Sequence, residues 1–160
     1  MIFVITGTEA FPFNRLIAEI DRLKKEKQII DDVYIQIGSC TYIPEYCSWD
    51  KWLSFDVMCR NIKNADIVIA HAGAGSTLLC LELGKKPIIV TRQKRYSEHL
   101  DDHQVPFAKM MESLEYSVVA YDVSEIKGCM EKMIMNKNQQ IKYKKNNFDL
   151  VTYLNSWLHS

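Results

Sequence analysis

Residues 67–76 constrain this chain more than any other stretch. An apolar, partly β-branched run, Ile67-Val68-Ile69-Ala70, stops at His71-Ala72-Gly73-Ala74-Gly75-Ser76 and passes into Thr77-Leu78-Leu79-Cys80-Leu81-Glu82-Leu83. A short apolar run bounded by glycines reads as a buried strand, and the residues after it have helical character. Strand, glycine turn and helix start in that order make a natural anion site. The first N–H groups of the helix lack partners, and the helix dipole favours negative charge there. Gly73 and Gly75 are expected to supply positive φ and close backbone approach. The spacing is neither G-x-G-x-x-G nor the P-loop pattern, so the usual cofactor assignments do not follow. Two readings stay open from these residues: a phosphate or diphosphate site, and a purely structural turn.

The rest of the chain sets bounds on both readings. At 160 residues there is one domain with a proper core. Twenty basic and twenty acidic residues balance to a net charge of zero, which gives no reason to expect a nucleic-acid partner. No apolar run approaches the ~20 residues of a membrane span, and Met1–Ile5 reads as a first strand rather than a leader. Five cysteines without a Cys-x-x-Cys pair fit reduced thiols in a cytoplasmic protein and argue against zinc. No Asp-x-Asp motif stands in a suitable place, so neither a metal nor another cofactor is expected.

Strand-like and helix-like segments alternate. Ile2–Ile5 is followed by Thr6-Gly7-Thr8 and a helix carrying Phe13, Leu16, Ile17, Ile20 and Leu23. A second strand covers Val33–Ile37, and Tyr42–Leu53 is irregular or holds a short extra strand. Helix Phe55–Asn64 leads into strand Ile67–Ala70. After the glycine turn and its helix, Gly84-Lys85-Lys86-Pro87 ends the helix and opens strand Ile88–Val90. A polar loop, Arg92–Asp102, precedes a helix near His103–Leu114, with Asp101 or Asp102 as its N-cap. Strand Ser117–Tyr121 and helix Val123–Met135 follow. A Lys-rich connector with Lys137, Lys142, Lys144 and Lys145 then leads to a last helix, about residues 146–158, carrying Leu150, Val151, Leu154, Trp157 and Leu158. This alternation predicts an α/β fold, a Rossmann-like parallel sheet with helices on both faces. The loops 6–8, 71–76 and 92–104 then meet at the carboxyl ends of the strands.

Three motifs in order carry a family resemblance. They are His71-Ala72-Gly73-Ala74-Gly75-Ser76, then Gly84-Lys85-Lys86-Pro87-Ile88-Ile89-Val90, then Arg95-Tyr96-x-Glu98-His99-x-Asp101-Asp102-His103-Gln104. Together they resemble the C-terminal half of family 28 glycosyltransferases, enzymes of the GT-B fold. The start, Gly7-Thr8-x-x-x-Pro12-Phe13-x-Arg15-Leu16-Ile17, resembles a bacterial branch of that family. The nearest types are small single-domain subunits of split transferases, in capsule or exopolysaccharide synthesis and in dolichol-linked GlcNAc transfer.

The resemblance implies that residues 1–160 form a single UDP-sugar-binding domain, the donor half of a two-component inverting glycosyltransferase. Thr8, Gly73, Gly75, Ser76 and Thr77 would hold the donor nucleotide and diphosphate. Asp102, His103 and Gln104 would contact the donor sugar, and Arg92 and Arg95 are candidate phosphate contacts. Glu9 and His71 are candidate catalytic groups, with His71 equally suited to shape the turn through an Nδ1–backbone bond. The family's acidic ribose ligand falls at Leu79 here, with Glu82 about one turn further on. A membrane-anchored acceptor-binding partner and a lipid-linked saccharide acceptor are implied, with this chain peripheral at the inner face of the membrane. The last helix is a candidate for docking that partner. The competing function is a non-catalytic nucleotide-binding or scaffolding subunit.

Overall fold

The computed structural model describes residues 1–136 and Tyr143. Six short strands pair in parallel throughout: β1 (Ile2–Ile5), β2 (Val33–Gln36), β3 (Ser48–Asp50), β4 (Ile67–His71), β5 (Ile88–Val90) and β6 (Val118–Ala120). Their order across the sheet is β3-β2-β1-β4-β5-β6. Every residue of β1, β4 and β5 is buried, because helices cover both faces of a parallel sheet and leave its middle strands no solvent side. That is why these strands read as unbroken apolar runs. The edge strand β3 is exposed along its length, which explains why residues 42–53 carry no clear pattern.

Alternation along β1 separates the two cores. Ile2 and Val4 pack with Leu16, Ile17 and Ile20 of α1 (Asn14–Lys25) and with Ile126 and Met130 of α5 (Ile126–Met135). Phe3 and Ile5 pack on the other face with Ile62 of α2 (Phe55–Asn64) and Cys80 of α3 (Ala74–Glu82). Further along that face, Leu81 meets Phe107, Ala108 and Met111 of α4 (Gln104–Ser113). The helix stop predicted at Gly84 is present: φ is +76, and Lys85 N–H donates to the Cys80 carbonyl. The connection from β2 to β3 is irregular, and buried Asp21 of α1 holds it. Its carboxylate accepts from Glu45 N–H, Tyr46 N–H and the Tyr42 hydroxyl. The expected last helix and the lysines Lys137, Lys142, Lys144 and Lys145 lie outside the described residues.

Candidate functional site

The strand order places the site. From β1 the sheet grows one way to β2 and β3, and from β4 the other way to β5 and β6. Loops leaving the carboxyl ends of β1 and β4 therefore diverge, and the crevice between them is where open α/β sheets bind ligands. The loops after β1, β4 and β5 are the three that the sequence marks out.

His71 joins the first two loops. It ends β4, and its ring is buried. A Cβ added to Gly7 would lie 2.4 Å from Cε1 of that ring, and one on Gly73 would lie 2.2 Å from Nε2. Both loops close on the imidazole only because neither glycine has a side chain. Gly7 also has φ +87, and the side chain of Gln36 grips its peptide. Gly7 N–H donates to Oε1 at 3.1 Å, and Nε2 donates to the Gly7 carbonyl at 3.1 Å. Burial, together with the Arg92 charge, pushes the His71 pKa down to about 4 against an opposing effect of the Ile5 backbone, so the ring is neutral at pH 7. Among the described residues its Nδ1 has no partner at close hydrogen-bond geometry, and the backbone group that acts on the ring as a hydrogen-bond partner is that of Ile5. His71 also shapes the turn by its volume.

The turn itself differs from expectation in one respect. Positive φ occurs at neither Gly73 nor Gly75; Gly73 is the extended N-cap of α3 with φ −86, and Gly75 lies in the first helical turn. Proximity to His71, not left-handed backbone, demands glycine at 73. The N–H groups of Ala74, Gly75 and Ser76 have no intrahelical acceptor. The N-cap offers them no side chain, and the first turn carries no acidic residue. A Cβ at Gly75 would enter open space. Thr77 faces inward: its N–H and its hydroxyl both donate to the Gly73 carbonyl, at 3.1 and 2.9 Å. It buttresses the turn and presents no polar atom to the crevice, contrary to the contact expected of it. Beside the turn lies a groove of about 490 Å3, walled by Phe55, Met58, Leu78 and Leu79, with Ser76 and Glu82 on its rim. Glu82 Oε1 accepts from the Tyr143 hydroxyl at 2.6 Å.

In the third loop, several side chains that look like ligand contacts are braces. Arg92 is 1% exposed and does not reach into the crevice as a phosphate contact would. Its Nη2 donates to the Thr6 carbonyl at 2.7 Å, and its Nη1 donates to the carbonyls of Phe11 and Glu98. Buried Glu98 takes both prongs of Arg15, at 2.9 and 3.0 Å, together with Gln93 N–H. Tyr96 stacks on that same Arg15 guanidinium. Asp101, rather than a residue of α4, receives His103 N–H, and Asp102 receives Lys94 N–H. Gln104 Oε1 accepts from Arg92 N–H at 3.0 Å, which fixes the amide. Arg95, Asp102, His103, Thr8 and Glu9 are exposed. Arg95 lies against Tyr96, and His103 pairs with Asp101. Arg15 and Gln36 are site-building residues whose roles the sequence did not reveal. A polar side chain ending an otherwise apolar strand was the available signal for Gln36.

A larger cavity, about 580 Å3, opens at the opposite edge beside Ile2, Ile67, Val118 and Lys132. Its lining carries Lys85, Lys86 and Lys132 together with Asp31 and Asp66, charges of both signs. Among the described residues, no cluster of three or more His, Cys, Asp or Glu is placed to hold a metal ion. No described helix is long and apolar enough to cross a membrane.

Residues 1–153 match the glycosyltransferase family 28 C-terminal domain. The chain is 35% identical over 119 residues to the UDP-N-acetylglucosamine transferase subunit ALG13 of Homo sapiens, covering 69% of this chain and 10% of that protein. With the same-named subunit of Candida albicans it shares 32% over 81 residues, 51% of this chain and 26% of the relative. It thus spans a third or less of the length of these relatives. In fold it is similar to the glycosyltransferase SnogD of Streptomyces nogalater, with TM-score 0.57 and 15% identity, over 86% of this chain and 35% of that one. It is likewise similar to MurG of Acinetobacter baumannii, with TM-score 0.56 and 16% identity, over 87% and 42%.

Proposed function

The chain belongs to the glycosyltransferase family 28 C-terminal domain family, and from that premise we propose that it is the donor-binding catalytic subunit of a two-component, inverting glycosyltransferase. The donor is a UDP-sugar, and the acceptor is a hydroxyl of a lipid-diphosphate-linked saccharide, in the assembly of cell-surface polysaccharide. The observation that carries this reading is the start of α3. Three unpartnered N–H groups, at Ala74, Gly75 and Ser76, face the switch point of the sheet without a competing carboxylate. The diphosphate sits there. The groove walled by Phe55, Met58, Leu78 and Leu79 takes the uracil ring, and Glu82 on its rim is the carboxylate nearest the ribose in place of Leu79. Gln104 Nε2 donates to the sugar hydroxyls, with Asp102 and His103 beside it.

Chemically, the acceptor oxygen attacks the anomeric carbon while the bond from that carbon to the phosphate oxygen breaks. UDP leaves with the electron pair, and the acceptor proton passes to a general base. The helix N–H groups stabilise the negative charge as it builds on the leaving diphosphate, without a metal. His71 is a poor choice for the base, since it is buried and its pKa of about 4 makes it a weak proton acceptor. Glu9, exposed on the loop after Gly7, is the candidate in this chain; otherwise the base belongs to a membrane-anchored partner that supplies the acceptor half.

Calorimetric titration with UDP and a panel of UDP-sugars tests the donor site. The wild type should bind, and Gly75→Val, which places a branched side chain over the helix N–H groups, should not. Absence of UDP binding, or binding indifferent to Gly75→Val, would leave a scaffolding subunit as the better description. Reconstitution with the partner and a lipid-linked acceptor then tests transfer, with Gln104→Ala expected to lower it.

A further inference from the structure

The charged side chain with the least exposure among the described residues is Arg92, at 1%. Among the described residues, its guanidinium donates only to carbonyl oxygens, those of Thr6, Phe11 and Glu98, and its Nε has no partner. The face of the Phe13 ring lies 4.9 Å from its Cζ. Two carboxylates act on it without forming an ion pair, Glu98 and Glu9, and Glu98 is already held by two prongs of Arg15 and by Gln93 N–H. A buried cation bonded to no anion is costly to desolvate, and folds usually avoid one or pair it.

Its position gives that charge a use. Nη2 holds the carbonyl of Thr6, the residue before Gly7. Gly7 and Gly73 both close on the His71 ring, and Gly73 is the N-cap of α3. The buried guanidinium is therefore joined to the loops that the diphosphate would face, and its charge reaches the His71 ring between them. The lowered basicity of His71 is in part the effect of the same charge. Resting on the donor reading above, we propose that Arg92 is a buried counter-charge for the diphosphate of the ligand, acting through the Gly7–His71 wall without touching it. Within a dry, low-dielectric interior a fixed charge acts over a longer distance than in water and escapes screening by salt. It needs no reorganisation when charge builds on the leaving group. The same fork joins the loops after β1 and β5, and the Arg92 backbone N–H orients Gln104, so Arg92 is also a positioning residue.

The test separates charge from mere support of the loops. The full chain, as wild type, Arg92→Lys and Arg92→Gln, is titrated by NMR with UDP and with uridine, which lacks the diphosphate. Arg92→Gln should lower the UDP-to-uridine affinity ratio by about tenfold or more while uridine binding moves by less than about twofold, and Arg92→Lys should hold the ratio within about threefold. Equal weakening of both ligands in Arg92→Gln, or of neither, overturns the proposal. A ratio that collapses in Arg92→Lys overturns it too, and that variant decides the matter if the glutamine variant does not fold. A wild type that binds neither ligand rejects the donor reading, and the role of Arg92 with it. A wild type that binds UDP no more tightly than uridine rejects the counter-charge.

Discussion

Gly73 and Gly75 are two positions apart and serve different ends. A methyl at 73 would collide with the buried His71 ring, whereas one at 75 would meet nothing. Gly73→Ala should therefore destabilise the protein by about 1–3 kcal/mol through overpacking. Gly75→Ala should leave stability unchanged or raise it by up to about 1 kcal/mol, since alanine favours the helix. Urea unfolding distinguishes the two. UDP titration adds the functional half: Gly75→Ala should weaken binding despite its sound fold, and unchanged affinity would remove this turn as the diphosphate cradle. His71 makes a second prediction. Its pKa is near 6.5 in an unfolded chain and about 4 in the fold, so the folded form favours the neutral ring. As pH falls below about 6.5 the unfolded state takes up a proton that the folded state refuses. Stability is then lost progressively, by about 3 kcal/mol by pH 4, with no effect above pH 6.5. Unfolding free energies at pH 7.5, 5.5 and 4 for wild type and His71→Gln measure this as the difference in slope. Parallel slopes would show that the ring is not kept neutral.

At the scale of elements, the loop after β5 departs most from its appearance. Read as a string, residues 92–104 are a dense array of charged and polar side chains suited to ligand contact. In the fold, Arg92, Glu98 and Gln104 face inward and Asp101 and Asp102 tie the loop to itself, leaving mainly Lys94, Arg95 and His103 at its surface. Glu98 is central to that arrangement because it takes both prongs of Arg15 from α1. Glu98→Gln should cost about 3 kcal/mol, because removing one partner leaves the largely buried Arg15 without its main counter-ion. Replacing both residues, as Arg15→Met with Glu98→Gln, should recover part of the loss in a double-mutant cycle. Additive losses would mean that the pair does not act as a unit. The helix α3 is the simpler case, since its unpartnered first N–H groups follow from being a helix that begins at a glycine after a buried strand.

For the whole molecule, the chain corresponds to 35–42% of the solved glycosyltransferases that it resembles in fold. On the two-component reading proposed above, a crevice at the carboxyl edge of one sheet is half of a reaction site. The isolated chain is expected to bind UDP and UDP-sugars yet transfer no sugar until a second chain supplies the acceptor side. Activity assays with and without that chain, using one lipid-linked acceptor, check this. Transfer by the isolated chain would show that it carries its own acceptor site.

Much of this architecture was legible from local information. Buried parallel strands are unbroken apolar runs because both of their faces are covered, so β1, β4 and β5 stood out, while the exposed β3 did not. The glycine turn was legible as a helix start with free N–H groups, because helix N-termini leave N–H groups unpaired whatever surrounds them. The direction in which each polar side chain points was not legible. Thr77 and Arg92 looked like ligand contacts and are internal, and Gln36 passed unnoticed while holding the Gly7 peptide. Those outcomes depend on partners far along the chain: Arg92 reaches a carbonyl 86 residues away, and Gln36 one 29 residues away. The amino-acid order by itself determined the fold class, the turn and the helix terminus, through propensities that act within a few residues. The tertiary structure alone decided which of the flanking polar groups remain for a ligand, because a buried donor must find an acceptor wherever the packed sheet brings one.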